Sequence, residues 1–439
     1  MWNPWSRHLG NTFVGEPSFS IGHEAFWEVA GDDTAPADLR TEAYAALLVL
    51  RHFEIIYQQG IHEPVQADGD DDFMLARIRQ DVAKVGNRRV RDCLNDTLSA
   101  LRTEAAIVPD ALVTYAKNLE DRGQWRLGYE VWTVIIAAWR RANQPCSNGC
   151  IEAYLTRALL ARQLGDREAA LCDYVIAQDC AANAGFFAHA LRAVIGGAHT
   201  IGENGSPLLA LSVLRAAVRM AQLSHLGEHE MQARNAAGYV LHRAEDPVHA
   251  IAEFSAAYEL ALEQQNVEAA DLSLANLAAC AADQGYWTLA VDANELITKT
   301  SLSIYAKSTA LCNLIELYMW LRKESQFHAS YERFNQLSMT GHVAAVAQLY
   351  HARGMAAFAV PEGVLPIRPR HETMAEYVRA AQVISALGDT TVYTTLCTEL
   401  AAIASGQPTP YPVPTEVALP PVLLPLHQLV YERLAASAA

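Results

Sequence analysis

Residues 109–139 read PDALVTYAKNLEDRGQWRLGYEVWTVIIAAW, and that stretch decides the fold. Apolar side chains recur at three- and four-residue spacing up to Leu119, break at Gly123, and resume at Trp125. That is one helix, a tight turn and a second helix. The arrangement returns in IEAYLTRALLARQLGDREAALCDYVIAQ (151–178), with Gly165 at the turn. It returns again in MQARNAAGYVLHRAEDPVHAIAEFSAAYELAL (231–262), where Asp246-Pro247 makes the break and proline opens the second helix. LSLANLAACAADQGYWTLAVDANELI (272–297) repeats it around Gly285, and STALCNLIELYMWLRKESQFHASYERFNQLS (308–338) repeats it with no glycine in its turn.

The copies share a clock. Gly128, Ala170, Ala210, Ala250, Ala290 and Ser330 follow one another at steps of 42, 40, 40, 40 and 40 residues. Four positions after them come Trp132, Tyr174, Leu214, Phe254 and Phe334, with Asn294 the polar exception. A period of this length is one helix pair copied and stacked. Small residues let paired helices touch, and the bulky side chain fills the gap towards the next pair.

Ala116, Gly123, Trp125, Gly128 and Trp132 resemble the tetratricopeptide-repeat pattern, as do Ala158, Gly165, Ala170, Tyr174 and Ala177, and Ala278, Gly285, Trp287 and Ala290. The missing proline at most repeat ends departs from that pattern, and the longer step near 40 is similar to the long kinesin-light-chain-, LGN- and MalT-like variants. The resemblance implies an all-α fold, a right-handed α-solenoid of six to seven helix pairs. The chain then divides into an aromatic N-terminal arm (1–35), an N-terminal helical cap (36–108), the solenoid (109–405), and a Pro-rich strap with a short C-terminal helix (406–439). Within the cap the pattern predicts helices near 37–59 and 71–105. Further on it predicts a last pair at 343–360 and 372–387, interrupted by PEGVLPIRPR.

Both ends carry apolar material. Trp2, Trp5, Phe13, Phe19, Phe26 and Trp27 make the first 35 residues an irregular segment that docks by its rings. In the tail, prolines forbid a helix while Leu419, Val422, Leu423 and Leu424 predict burial against helical surface, anchored by a helix at 426–437. Such a strap packs either on its own chain or on a neighbouring copy.

Composition narrows the function. Of 439 residues 51% are hydrophobic and 19% charged, enough apolar material for an extended core, and the net charge of −16 disfavours nucleic acid. The basic run RIRQDVAKVGNRRVR (77–91) reads as a solvated helix face. No apolar stretch is long enough to span a membrane, and the first residues lack a secretory signal pattern. With eight cysteines in no disulfide framework, a cytoplasmic location is expected. Cys146, Cys150, Cys172 and Cys180 lack zinc-site spacing, and His225 with His229 reads as an incidental pair rather than a metal site. No catalytic motif appears, so no enzyme activity and no cofactor are expected.

In the resembled family the first helix of each pair lines the groove. Stepping by 42 and then by 40 gives the rows Val113, Leu155, Ile195, Asn235, Ala275, Ile315; Lys117, Leu159, His199, Tyr239, Ala279, Met319; and Glu120, Arg162, Gly202, His242, Ala282, Arg322. Asn235 and Asn276 are candidates to hold a ligand backbone, Asn313 reads as structural, and Tyr239, His242 and Arg322 are groove contacts. The expected function is a non-enzymatic scaffold holding a peptide or partner protein. The alternative is a self-assembling homo-oligomer built through arm, tail and solenoid ends.

Overall fold

The computed structural model describes residues 23–33, 35–58, 69–101, 108–339, 341–358, 371–386, 390–405 and 416–437. Trp2, Trp5, Phe13, Phe19 and the insertion at 361–370 lie outside them. Among the described residues all regular structure is helical. The chain forms two compact units, Met1–Ser206 and Pro207–Ala439, whose boundary falls inside the segment read as one solenoid.

The first unit holds α1 (Glu24–Gly31), α2 (Ala37–Gln58), α3 (Gly69–Val82), α4 (Arg88–Ala100), α5 (Asp110–Asp121), α6 (Trp125–Arg141), α7 (Asn148–Gln163), α8 (Arg167–Ala184) and α9 (Phe187–Glu203). From α4 onward each packs on its predecessor in the chain, the stacking of an α-solenoid. Two expectations change here. Residues 24–31 are helix rather than irregular arm, with the Ala25 amide donating to Glu130 Oε1 at 2.8 Å and Phe26 fully buried, although Trp27 stays half exposed. The helix expected at 71–105 is two. It breaks after Val82, and Asn87 caps the second by accepting from the Val90 amide at 3.3 Å. The basic run therefore spans a turn rather than one helix face. Deeper in, Arg157 on α7 grips Asp173 on α8 with two bonds, 2.8 and 2.6 Å, and reaches Thr133 on α6 at 3.2 Å.

The second unit holds α10 (Pro207–Leu223), α11 (Gly227–Arg243), α12 (Pro247–Glu263), α13 (Val267–Asp283), α14 (Trp287–Thr300), α15 (Ile304–Trp320), α16 (Glu324–Gln336), α17 (His342–Phe358), α18 (His371–Ala386), α19 (Thr390–Ala404) and α20 (Leu424–Ala436). Local chemistry fixes their ends. Asp246, Asn266 and Ser303 accept the amide three residues on, at 3.4, 3.0 and 3.2 Å. The turns after α11, α13 and α15 close with a bond from the residue after the left-handed position back five residues, such as Tyr286 N to Ala281 O at 2.9 Å. Gly285 supplies that left-handed position at φ 78°, while Glu245 and Arg322 take it at 61° and 56°. The turn without glycine thus uses Arg322, against the conformational preference of an L-residue.

The period is less even than the sequence suggests. Ala210, Ala250 and Ala290 are each the fourth residue of their helices and fully buried. The start of α16 lies 37 residues after that of α14, and that of α15 lies 37 after α13. Ser330 is therefore seventh, a turn further on, and Phe327 holds the fourth position. The bulk is absorbed across the interface, because Gly354 on α17 leaves the space that the Phe327 ring enters.

Alternate helices differ in how they stack. In this unit α11 touches α13, α13 touches α15 and α15 touches α17, while no comparable contact joins α10, α12, α14 and α16. The first helices of the pairs are thus the closely spaced inner layer, and the second helices the splayed outer one. The C-terminal strap lies on the outer layer of its own chain. Val417 N donates to Gly285 O at 3.0 Å, Thr288 donates to Glu416, and His427 bonds Asp292 at 2.9 Å while α20 packs on α14. Burial corrects the expectation for the tail: Leu423, Leu426 and Val430 are buried, Leu419 is half-buried, and Val422 and Leu424 are 78% and 51% exposed. The 3-10 turn Pro421–Leu423 lets only one side of this short segment face the body.

Candidate functional site

The inner layer of the second unit is where four of the five candidate residues meet solvent or one another. Tyr239 and His242 stand one turn apart on α11, both half-buried. His242 Nε2 bonds Asp283 Oδ2 on α13 at 2.7 Å, and the Asp283 side chain remains 66% exposed. Asn276 is half-buried on α13, and its side chain makes no hydrogen bond to another described residue. Arg322 donates to the Ala357 carbonyl on α17 from its strained turn, tying two pairs together. Asn235 lies deeper. It is 5% exposed, its amide nitrogen donates to Ser273 Oγ at 2.8 Å, and its Oδ1 finds no partner. Asn313 donates to Asn294 Oδ1 at 3.1 Å, and Asn294 donates to Ala290 O at 2.8 Å. The polar exception in the bulky row is thus a link between two helices.

The shorter step moves the rows. Tyr239 and Ala279 are the thirteenth residues of α11 and α13, and the thirteenth of α15 is Glu316, not Met319. Met319 and Ile315 are buried in the core. Counting from the Ser303 cap would have found Glu316; counting by 40 from Ala279 overshoots it.

Glu316 is the centre of the polar chain on this face. Burial pushes its carboxyl above the usual range, opposed by hydrogen bonds from Tyr350 and Trp320 and by the charge of Arg353, and reinforced by the charge of Asp283. Arg353 continues the chain, donating from Nε to both oxygens of Glu399 on α19 at 3.1 Å, with its guanidinium 5.5 Å from the Tyr350 ring centroid. The Tyr377 hydroxyl reaches Glu399 Oε2 at 3.4 Å. His242, Asp283, Glu316, Arg353 and Glu399 therefore follow one another from α11 to α19. Between the two ends α13 presents alanines, with Ala279 exposed and Ala275 and Ala282 half-buried. The arrangement offers charged and aromatic groups around a floor that takes up no space.

The other groups singled out lie apart from this face. His225 occupies a left-handed turn position at φ 54° and His229 is half-buried in the first turn of α11. Among the described residues no three His, Cys, Asp or Glu side chains are grouped to hold a metal ion, and no helix is long and apolar enough to cross a membrane. The structure brings Cys146, Cys150 and Cys180 together without Cys172. Burial pushes the Cys150 and Cys180 thiols up to about 12, which leaves almost no thiolate at neutral pH. In the first unit Glu120 accepts from Trp132 Nε1 at 2.5 Å, and burial raises its carboxyl to about 7.

A scan against protein-family models finds no match for the chain, and a search of curated proteins finds none either.

Proposed function

We propose that this chain is a non-enzymatic binding protein that holds a peptide or a segment of a partner protein along the inner helix layer of the Pro207–Ala439 unit. One observation carries the reading. Among the described residues the C-terminal strap packs on the outer layer, and Ala279 on α13 is exposed between Tyr239 and His242 on one side and Glu316 and Trp320 on the other. Small side chains flanked by aromatic and ionic ones suit a helix or extended segment laid across successive helices. We read the helix pairs as tetratricopeptide-type, supported by the small, buried residues Gly128, Ala170, Ala210, Ala250 and Ala290 at their crossings and the closed turns after α11, α13 and α15. Eight free cysteines support a reducing, cytoplasmic setting.

The experiment is peptide binding by fluorescence anisotropy with Ala279→Trp, which fills the floor, and with Glu259→Trp on the outer layer as control. Binding lost in the first variant and kept in the second is the expected result. Binding unaffected by Ala279→Trp refutes the site.

Self-assembly is the second reading. Leu208, Leu223 and Val248 at helix ends of this unit, and Leu302 in the link between α14 and α15, have 73% or more of their surface in water. Light scattering at rising concentration separates the two, since assembly gives a mass that grows.

A further inference from the structure

We propose that Cys146 and Cys180 form a reversible disulfide under peroxide, stapling the end of the α7–α8 pair that lies away from its Gly165 turn. The proposal concerns the Met1–Ser206 unit and is independent of the inner-layer reading. The register of the two antiparallel helices carries it. Arg157 on α7 and Asp173 on α8 are joined by bonds of 2.8 and 2.6 Å. Seven residues from each, two helical turns away from Gly165, stand Cys150 and Cys180. The pairing that sets Arg157 beside Asp173 therefore sets Cys150 beside Cys180. Cys146 comes one residue before Ser147, which starts α7 by accepting from the Cys150 amide at 3.3 Å. With the helix start fixed there, the Cys146 and Cys180 thiols share a hydrogen bond.

Access sets the order of events. Cys146 and Cys180 are half-buried, whereas Cys150 is fully buried and out of reach of an oxidant in solution. Cys146 stands in the link between α6 and α7 beside the exposed Gln144 and Pro145, while Cys180 is held on the helix face against the other two sulfurs. Cys146 is thus the sulfur that meets the peroxide. It takes one oxygen of hydrogen peroxide, the O–O bond breaks, and water leaves behind a sulfenic acid. The Cys180 sulfur then attacks the Cys146 sulfur. The S–O bond breaks, and hydroxide departs with the Cys180 proton as a second water. Two thiols have given two electrons to one peroxide, and a small dithiol returns them. In a reducing setting the pair rests as thiols, so the staple closes only under oxidant. Once closed, it ties the start of α7 to the last turns of α8 and restrains local opening there.

The test treats the full chain with hydrogen peroxide, blocks remaining thiols by alkylation and maps cross-linked peptides by mass spectrometry. A Cys146–Cys180 link that dithiothreitol reverses is the expected product. Cys150→Ser should keep it, and Cys146→Ser should abolish it. Cys180→Ser should stop at the Cys146 sulfenic acid, which dimedone traps; circular dichroism checks that each variant is folded. Amide exchange in the first turn of α7 should slow by about tenfold on oxidation of the wild type and stay unchanged in Cys180→Ser. A Cys146–Cys150 link, a link between two chains, or a sulfenic acid that persists in the wild type overturns the pairing. Exchange that is equal in the oxidised and reduced wild type overturns the staple.

Discussion

Replacing Gly354 by alanine sets two effects of opposite sign against each other. Gly354 lies inside α17, where alanine is favoured over glycine by about 1 kcal/mol. A Cβ built there falls 2.2 Å from both Cε2 and Cζ of Phe327 and 3.1 Å from Cδ2. The ring has no room to retreat. Phe327 is fully buried, stacked on His351 at 5.6 Å between centroids and edge-on to Phe358 at 5.1 Å. Overpacking a core costs about 1–3 kcal/mol, and two ring carbons this far inside contact distance place the case at the upper end. The expected net loss is about 2 kcal/mol, a fall of about 4–8 °C in the melting temperature of a unit of this size. Urea titrations followed by far-ultraviolet circular dichroism should compare Gly354→Ala alone, Phe327→Leu alone, and both. Leucine lacks the two atoms that collide, so in the Phe327→Leu background the alanine should be neutral or stabilising by up to about 1 kcal/mol. An equal loss in both backgrounds refutes the packing of this ring into the space at Gly354.

Three further outcomes follow from the titrating groups and the strap. Burial raises Glu120 from its ordinary 4.5 to about 7, so the stability it lends is full below about pH 4.5 and is lost as pH rises towards 7; Glu120→Gln should flatten that part of a urea-midpoint profile. Burial lowers His351 from 6.5 to about 4, with the charges of His328 and Arg379 adding to it. Its stability is full above about pH 6.5 and is lost as pH falls towards 4, so His351→Asn should remove a slope of opposite sign. A wild-type slope in either variant opposes the assignment. Deleting residues 416–439 exposes the surface under Leu423, Leu426 and Val430, each worth about 1.5–3 kcal/mol when fully buried. Calorimetry should show a lower transition for the Pro207–Ala439 unit and light scattering an unchanged mass, because the strap packs on its own chain. An unaltered transition, or a lost oligomer, contradicts that placement.

The helix pairs were legible because a tight turn and a close crossing each demand a residue type. Gly165 and Gly285 take positive φ angles, and Ala250 and Ala290 are buried where helices meet. These are local demands, and they leave a mark at each copy. The register after α14 was not legible, because a bulky residue at a crossing is tolerated when the facing helix gives way. Phe327 and Gly354 are 27 positions apart, and neither breaks the helix pattern on its own. For the same reason the groove rows drifted, and Glu316 was passed over in favour of the buried Met319.

By itself, then, the sequence determined an all-helical chain of stacked pairs, the positions of most turns, and a tail too apolar and too rich in proline to be a plain linker. Periodicity, capping and backbone restriction act over a few residues, so they are written in order along the chain. Tertiary structure alone decided which apolar tail residues are covered, that the strap lies on the outer layer of its own chain, and that Asn235 sits beneath the surface on Ser273. It also gathered Asp283, Glu316, Arg353 and Glu399 from four helices into one polar chain. Charge and burial at those positions depend on neighbours tens of residues away, and nothing in the local pattern of one helix says which side chain the next will bring.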